Sequence, residues 1–130
     1  MSGGAKVVIK TSRAVQPVGP YAQAVRAGDF LFVSGTVPVD PATGAVVERN
    51  IAIQTRQVFD NIKEILAAAG ATMDDLVKVN VHLHDAHDWA AMNEVYRTYF
   101  GEYLPARMSM EAKPPLDYLI DVDAIAYLPQ

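Results

Sequence analysis

The sequence contains no cysteine and no long uninterrupted run of apolar residues. Without cysteine the chain can form neither a disulfide framework nor a thiol nucleophile, which agrees with a cytoplasmic location. A bilayer-spanning helix needs about 20 consecutive, mostly apolar residues, and no segment approaches that length. The first residues, Met1 to Lys6, also lack the apolar core of a secretory signal. We therefore expect a cytoplasmic protein with no membrane segment.

Positive charge is also sparse. The 130 residues include 11 Lys and Arg against 15 Asp and Glu, for a formal net charge of −4. The basic residues are scattered rather than gathered into a stripe, so binding to a nucleic-acid backbone is disfavoured. Because 51% of the residues are hydrophobic, the chain can build a substantial core, and we expect a single domain over residues 1–130.

The first half of the chain predicts a strand, a hairpin and a helix. Lys6–Lys10 is a short apolar strand, and a loop containing Pro and Gly follows it. Ala22–Val25 and Phe30–Ser34 flank the turn signal at Gly28, which indicates a hairpin. The helix spans Ile51–Ala69, with Asn50 as its N-cap and Gly70 just beyond its end. Its apolar stripe should lie on a sheet and consists of Ile51, Thr55, Val58, Ile62, Ile65, Leu66 and Ala69.

The second half predicts a strand, a helix and two further strands. Val77–His84 alternates strictly, with Val77, Val79, Val81 and Leu83 toward a core and Lys78, Asn80, His82 and His84 on the other side. A second amphipathic helix follows its cap at Asp88 and stops at Gly101. We expect its buried stripe to be Trp89, Met92, Tyr96 and Tyr99, beside Phe100. The last strands begin just after Pro105 and at Ile120.

This order of elements predicts an α+β or split βαβ fold, with two helices covering one face of one sheet. The uncovered face would carry polar side chains in the Val77–His84 strand and apolar ones in other strands. We expect this face to be partly buried by other subunits.

The two C-terminal strands carry the candidate chemistry. Alternation places Arg107, Ser109 and Glu111 on one side of the first strand, and Asp121 and Asp123 on one side of the second. If the strands lie near each other, an arginine, a hydroxyl and a carboxylate can meet in a pocket for a small carboxylic acid. The alternative is a structural ion pair between the arginine and one of these aspartates.

Two other groups of residues have competing interpretations. His82, His84 and His87 lie close to Asp85 and suggest a metal site, but without a fourth ligand at suitable spacing, polar sheet or interface residues are the better interpretation. Tyr21 lies in a Gly-Pro loop rather than on a periodic face. A role in a pocket and simple packing are equally compatible with that position.

Several segments together resemble the RidA (YjgF-type) family of small, cofactor-free imine deaminases. The resemblance covers nearly the whole chain, and its parts are specific only in combination. They are Val18-Gly-Pro-Tyr-Ala-Gln23, Phe30-Leu-Phe-Val-Ser-Gly-Thr-Val-Pro-Val-Asp-Pro41, the helix with Asn61 and Ala67-Ala-Ala-Gly70, Met92-Asn-Glu-Val-Tyr96, Pro105-Ala-Arg107 and Ile120-Asp-Val-Asp-Ala-Ile-Ala126.

The resemblance implies a chorismate-mutase-like α+β subunit in a homotrimer, with the sheets forming a central barrel and sites between subunits. It also implies that no cofactor or metal is needed. An arginine such as Arg107 would grip the substrate carboxylate, and the loop at Ser34 and Gly35 would line the pocket. The residues expected to complete the substrate pocket are Tyr21, Asn93 and Ser109.

The family has a glutamate for the hydrolytic water where this chain has Asp121, and the preceding loop is one residue shorter. Aspartate reaches about an ångström less far, a difference that matters in acid–base catalysis. The primary hypothesis is hydrolysis of 2-imino acids such as 2-iminopropanoate to 2-keto acids and ammonia, which removes reactive metabolites. The alternatives are a catabolic deaminase of 2-aminomuconate or 3-aminoacrylate and a trimer that binds small carboxylates without turnover. Ribonuclease activity is the least favoured of these hypotheses.

Overall fold

A computed structural model describes residues 5–129. The expectations about residues 1–4 and the terminal residue 130 lie outside the described residues. Within this range six strands form one mixed sheet, and two helices pack on one of its faces. The strands are β1 Val7–Ile9, β2 Ala24–Ala27, β3 Phe30–Thr36, β4 Leu76–Leu83, β5 Ala106–Glu111 and β6 Ile120–Tyr127, and the helices are α1 Ile51–Ala68 and α2 Trp89–Tyr96.

The sheet order is β1-β2-β3-β6-β4-β5. All neighbours are antiparallel except β4 and β5, which are parallel because α2 makes the crossover between them. The predicted α+β class is therefore confirmed. β6, the last strand in the chain, lies in the middle of the sheet, between β3 and β4. This placement separates β6 from β5.

The helix α1 begins where the sequence predicts. The Asn50 side chain accepts a hydrogen bond from the backbone N–H of Ile53 at 3.0 Å, so the N-cap is confirmed. The helix ends one residue early, at Ala68, and Gly70 follows with a φ of +81°, a backbone conformation that favours glycine. The face of α1 that packs on the sheet consists mainly of Val58, Phe59, Ile62, Ile65 and Leu66.

The second helix differs from the expectation. Met92 and Tyr96 are buried as predicted, but Trp89 is 51% exposed and Val95 is buried instead. The helix starts after a short 3-10 turn. The side chain of Asp85 caps this turn, whereas the side chain of Asp88 makes no capping hydrogen bond to the helix. The first helical residue, Trp89, therefore lies largely outside the core, which a continuous helical periodicity does not predict.

A bulge changes the inward face of β4. Its register with β6 shifts between Leu76 and Lys78, so the alternation is interrupted at the start of the strand. Leu76 is therefore buried, whereas Val77, expected to face the core, is 42% exposed. From Val79 onward the alternation holds as predicted.

The two faces of the sheet have different compositions. The helix-covered face contains the buried core residues Leu31, Val33, Val79, Val81, Leu83, Ile120, Val122 and Ala124. The opposite face has a polar centre and apolar side chains around it. Its centre is formed by Asn80, His82, Asp121 and Asp123, and its apolar part includes Phe32, Met108, Met110 and Ile125. Within residues 5–129, no helix has both the length and the apolar character needed to cross a bilayer.

Candidate functional site

Arg107 and Asp121 lie on opposite faces of the sheet, because their strands pair with β4 in registers that put them beside residues of opposite faces. Residues paired across a ladder place their side chains on the same face. Arg107 is paired with Val79 on the helix-covered face, whereas Asp121 is paired with His82 on the opposite face. The expected meeting of these groups in one pocket is therefore wrong for a single chain. The alternative ion pair between Arg107 and an aspartate of β6 is wrong for the same reason.

Arg107 lies beneath α2 in a cleft that we call the arginine cleft. Its Nη1 donates a hydrogen bond to Asn93 Oδ1 at 2.7 Å, and its guanidinium carbon lies 4.7 Å from the centroid of the Tyr96 ring. A guanidinium has five N–H donors, and this hydrogen bond uses one of them. The planar group is thus oriented to bind a carboxylate. The cleft is lined by Trp89, Asn93, Tyr96, Arg97, Leu104, Pro105 and Arg107.

Helical spacing and aromatic packing position the groups around this arginine. Asn93 and Tyr96 are three residues apart on α2 and therefore share one side of the helix. The Tyr96 ring packs edge-on against Phe59 of α1, with ring centroids 5.3 Å apart. Burial raises the pKa of the Tyr96 phenol, and the charge on Arg107 lowers it in part. The arginine therefore packs against a neutral aromatic ring, which stabilises its charge.

Ser109 lies two residues farther along β5, on the same face as Arg107. Its Oγ is buried and has no hydrogen-bond partner among residues 5–129. A buried hydroxyl normally has such a partner. It lies in a neighbouring depression that shares Trp89 with the arginine cleft and also contains Glu111, whose Oε1 accepts from the Ala86 N–H at 2.8 Å.

A second cleft, which we call the aspartate cleft, forms around β3 and the start of β6. It has a volume of about 370 Å³, at the lower end of the range for small-molecule pockets. The cleft brings together four of the predicted site residues, Tyr21, Ser34, Gly35 and Asp121. The remaining lining residues are mainly apolar: Val18, Val37, Pro115, Leu116 and Tyr118.

A bulge in β3 shapes this cleft. The register of β3 with β6 shifts between Val33 and Thr36, so that Ser34 and Gly35 together lie opposite Asp123. The Ser34 hydroxyl donates to the carbonyl of Ala22 at 2.5 Å. Ser34 therefore holds the bulge in place.

Gly35 allows a close approach by the Asp121 carboxylate. A Cβ atom at position 35 would lie 2.9 Å from Asp121 Oδ1, which is shorter than side-chain contacts allow. Asp121 thus rests directly against the backbone of β3. A side chain at position 35 would displace it.

The environment of Asp121 favours its protonated form. Burial raises the pKa of this carboxyl above its ordinary value of 3.8; nearby His82 lowers it in part, and Asp123 raises it further. Asp121 Oδ1 is buried and has no hydrogen-bond partner among residues 5–129. A carboxylate with a raised pKa in a cleft is suited to accept and return a proton.

The remaining predicted residues have structural contacts. The Tyr21 hydroxyl accepts a hydrogen bond from the Val18 N–H at 3.2 Å, and Tyr21 stays 43% exposed at the cleft. His82 Nδ1 lies 3.2 Å from the Asp121 carbonyl oxygen, and His87 pairs with Asp85 at 2.9 Å. Among residues 5–129, no three His, Asp or Glu side chains are grouped closely enough to hold a metal ion.

Sequence reasoning missed three residues of the clefts. Trp89 and Tyr96 have the spacing of core residues, and that pattern does not show that both rings border an arginine. Leu116 lies in a loop without periodicity, where its backbone conformation depends on tertiary contacts.

Comparisons with known proteins agree with this fold. Residues 11–128 match a family model described as Endoribonuclease L-PSP. A RutC family protein of Pyrococcus horikoshii, PH0854, is 54% identical, over 94% of this chain and 98% of the relative. A 2-iminobutanoate/2-iminopropanoate deaminase of Salmonella typhimurium is 42% identical over 91% of this chain and 94% of the relative. The crystal structure of E. coli TdcF with bound serine superposes with a TM-score of 0.88 at 36% identity, covering 93% and 98% of the two chains.

The fold and the clefts define a small α+β protein with an arginine and a carboxylate in separate pockets. The matches span nearly the full length of the chain and of its relatives. The chain belongs to the RidA (YjgF-type) family.

Proposed function

We propose that this protein is a hydrolytic deaminase of small 2-imino acids and of the enamines in equilibrium with them. The observation that carries the proposal is the chemistry of the two clefts. One offers an oriented arginine for a carboxylate, and the other offers a buried carboxyl with a raised pKa for water. The deaminase name of the Salmonella relative supports this assignment. The serine bound to TdcF supports an amino-acid-like ligand.

In this proposal the working site forms between two copies of the chain in a homotrimer. Arg107 and Asp121 cannot meet within one chain, since they lie on opposite faces. Ser109 Oγ and Asp121 Oδ1 are buried without a hydrogen-bond partner in residues 5–129, as expected for groups that act on a ligand between chains. A second copy that places its aspartate cleft over the arginine cleft would complete the site.

The proposed reaction proceeds through addition of water and loss of ammonia. Arg107 binds the substrate carboxylate and Asn93 keeps the guanidinium oriented. Asp121 takes a proton from water. The water oxygen bonds to the C=N carbon as this happens, and the C=N electron pair moves to nitrogen. The same carboxyl then returns that proton to nitrogen, which gives a carbinolamine. Asp121 next takes the proton of the new hydroxyl and passes it to nitrogen, the C=O bond forms as the C–N bond breaks, and the 2-keto acid and ammonia leave. The Ser109 hydroxyl and backbone N–H groups near Gly35 stabilise the developing charge. Water is the sole co-reactant.

The name of the family model suggests a ribonuclease as another possibility, and electrostatics argue against it. A ribonuclease binds a phosphate backbone, which attracts basic surfaces. The net charge of this chain is −4, and the aspartate cleft contains Asp121 with Asp123 nearby. The deaminase assignment is therefore the better match.

The test is a coupled assay in which a dehydratase generates 2-aminoacrylate from serine and pyruvate release is followed. We expect the wild-type protein to accelerate pyruvate release. Arg107→Ala should lower kcat/KM by about 10- to 100-fold, the loss expected for a charge-assisted hydrogen-bonded pair.

The matched control is Arg13→Ala, which removes an exposed arginine whose contact with Glu64 is long, at 3.9 Å. It should behave as wild type. Full activity of the Arg107→Ala variant would contradict the assignment. Binding of the ligand without ammonia release would instead favour the sensing role.

A further inference from the structure

The loop between β5 and β6 contains two strained residues at the mouth of the aspartate cleft. Leu116 has a φ of +59° and Asp117 a φ of +61°, in the left-handed region that residues other than glycine rarely occupy. Asp tolerates this conformation better than Leu, since its short polar side chain can form local hydrogen bonds. A leucine here requires contacts that hold it in place.

Arg49 fixes the backbone next to the leucine, at Asp117. Its Nη1 donates to the Asp117 carbonyl oxygen at 2.7 Å and to the Asp117 carboxylate at 3.0 Å. The loop is also fixed at its far end, where the buried side chain of Gln54 accepts from the Leu119 N–H at 2.9 Å. The strained segment is thus held by two residues near the start of α1.

The result is an apolar side chain held at the cleft. Leu116 is 71% exposed, so its packing within the chain does not explain its position. It lines the aspartate cleft together with Val18 and Tyr118, near Asp121. A glycine would adopt the same backbone conformation without strain. The leucine side chain therefore adds an apolar surface to the pocket at a conformational cost.

We infer that Leu116, held by the Arg49–Asp117 clamp, determines specificity for the carbon side chain of the substrate. This inference rests on the proposed deaminase function. With the imine carbon next to Asp121, the substrate side chain contacts the apolar wall formed by Val18, Leu116 and Tyr118. The preferred substrates are 2-imino acids with a short apolar side chain rather than a polar or charged one.

The test compares kcat/KM for 2-iminobutanoate and 2-iminopropanoate, which differ by one methylene. Leu116→Gly suits the left-handed backbone and removes the apolar contact. We expect the butanoate-to-propanoate ratio to fall about threefold to fourfold, the equivalent of one buried methylene. Leu116→Asn should lower the ratio similarly. Both variants should keep the wild-type melting temperature or exceed it, because strain is relieved.

Arg49→Ala leaves the leucine in place but removes the clamp, so it should lower the same ratio by a smaller factor. Arg13→Ala is the matched control and should keep the wild-type ratio. An unchanged ratio in folded Leu116→Gly and Leu116→Asn overturns the inference, and an unchanged ratio in Arg49→Ala overturns the role of the clamp. If the wild-type protein releases ammonia from neither substrate, the proposed function fails, and this inference fails with it.

Discussion

At the scale of single residues, the proposed site includes a carboxyl group in an environment that is unfavourable to its charged form. Burial is the main reason that the pKa of Asp121 is raised, and His82 offsets this only in part. A carboxyl whose pKa is higher in the folded than in the unfolded protein binds protons more tightly when folded. Because of Asp121, the free energy of unfolding therefore falls as the pH rises from 3.8 through the raised pKa of this carboxyl.

Asp121→Asn should separate activity from stability. We expect kcat to fall by about 100-fold or more, the usual contribution of a general base. The free energy of unfolding at neutral pH should rise, because the cost of a buried charge is removed, and its dependence on pH above 3.8 should weaken. Urea unfolding at several pH values and the coupled assay measure both effects. The exposed Asp74→Asn is the control, and a loss of stability in Asp121→Asn at neutral pH would contradict this account.

Gly35→Ala tests the close approach of the carboxylate to β3. The added Cβ would lie 2.9 Å from Asp121 Oδ1, so the carboxylate must move. A displacement of about 1 Å in a catalytic group can lower the rate about 100-fold. Gly101→Ala is the matched control, because a Cβ there meets no atom within 4 Å. Wild-type kcat in Gly35→Ala would show that this contact does not position Asp121.

At the scale of elements, the helix α1 also organises the aspartate cleft. Its buried Asn61 Nδ2 donates to the carbonyl oxygens of Val37 at 3.1 Å and Val39 at 2.9 Å. These residues belong to the segment that follows β3 and borders the cleft. A side chain of the helix thus supplies donors to backbone carbonyl oxygens of a segment that lies outside the sheet.

Asn61→Ala should therefore destabilise the fold through this connection. Loss of the amide removes a hydrogen-bond donor from a buried carbonyl oxygen of the segment. We expect this to lower the free energy of unfolding by about 2 kcal/mol. Chemical denaturation would measure the change. Lys63→Ala, at an exposed position of the same helix, should alter stability by less than about 0.5 kcal/mol. Equal effects of the two substitutions would contradict the proposed role of the amide.

At the scale of the whole molecule, the sheet presents an apolar rim on the face opposite the helices. Phe32, Met108 and Met110 on this face are each more than 40% exposed. An apolar surface of this kind is typical of contacts between chains. The proposed homotrimer would cover this face and bring the two clefts together.

A site shared between copies predicts complementation between two variants that are each impaired in activity. Arg107→Ala and Asp121→Asn chains, co-expressed with different tags and purified through both tags, should regain activity. The two tags select mixed trimers, in which about one site in three would combine an intact arginine with an intact aspartate from different chains. The control is Arg107→Ala co-expressed with itself under two tags, which should keep the low activity of that variant. Mixed oligomers without recovered activity would contradict the shared site.

The sequence alone predicted the elements and the family. The periodicity of Ile51–Ala69 and the alternation after Val77 come from neighbours a few residues apart, so both elements were correctly predicted. Local pattern also placed Arg107 with Ser109, and Asp121 with Asp123, on shared sides of their strands. These relations depend only on backbone geometry within one element.

Tertiary structure alone decided how these elements meet. The registers in which β5 and β6 pair with β4 placed Arg107 and Asp121 on opposite faces, and no local pattern encodes which strands pair or in which register. The bulge at Gly35 and the left-handed backbone of Leu116 likewise depend on partners distant in sequence, β6 and Arg49. Burial and hydrogen bonding across the whole sheet determine which strands pair and which residues adopt a strained backbone conformation. The chemical groups that Arg107, Ser109 and Asp121 offer could therefore be predicted from the sequence. The division of these candidate residues between two clefts of one chain could not.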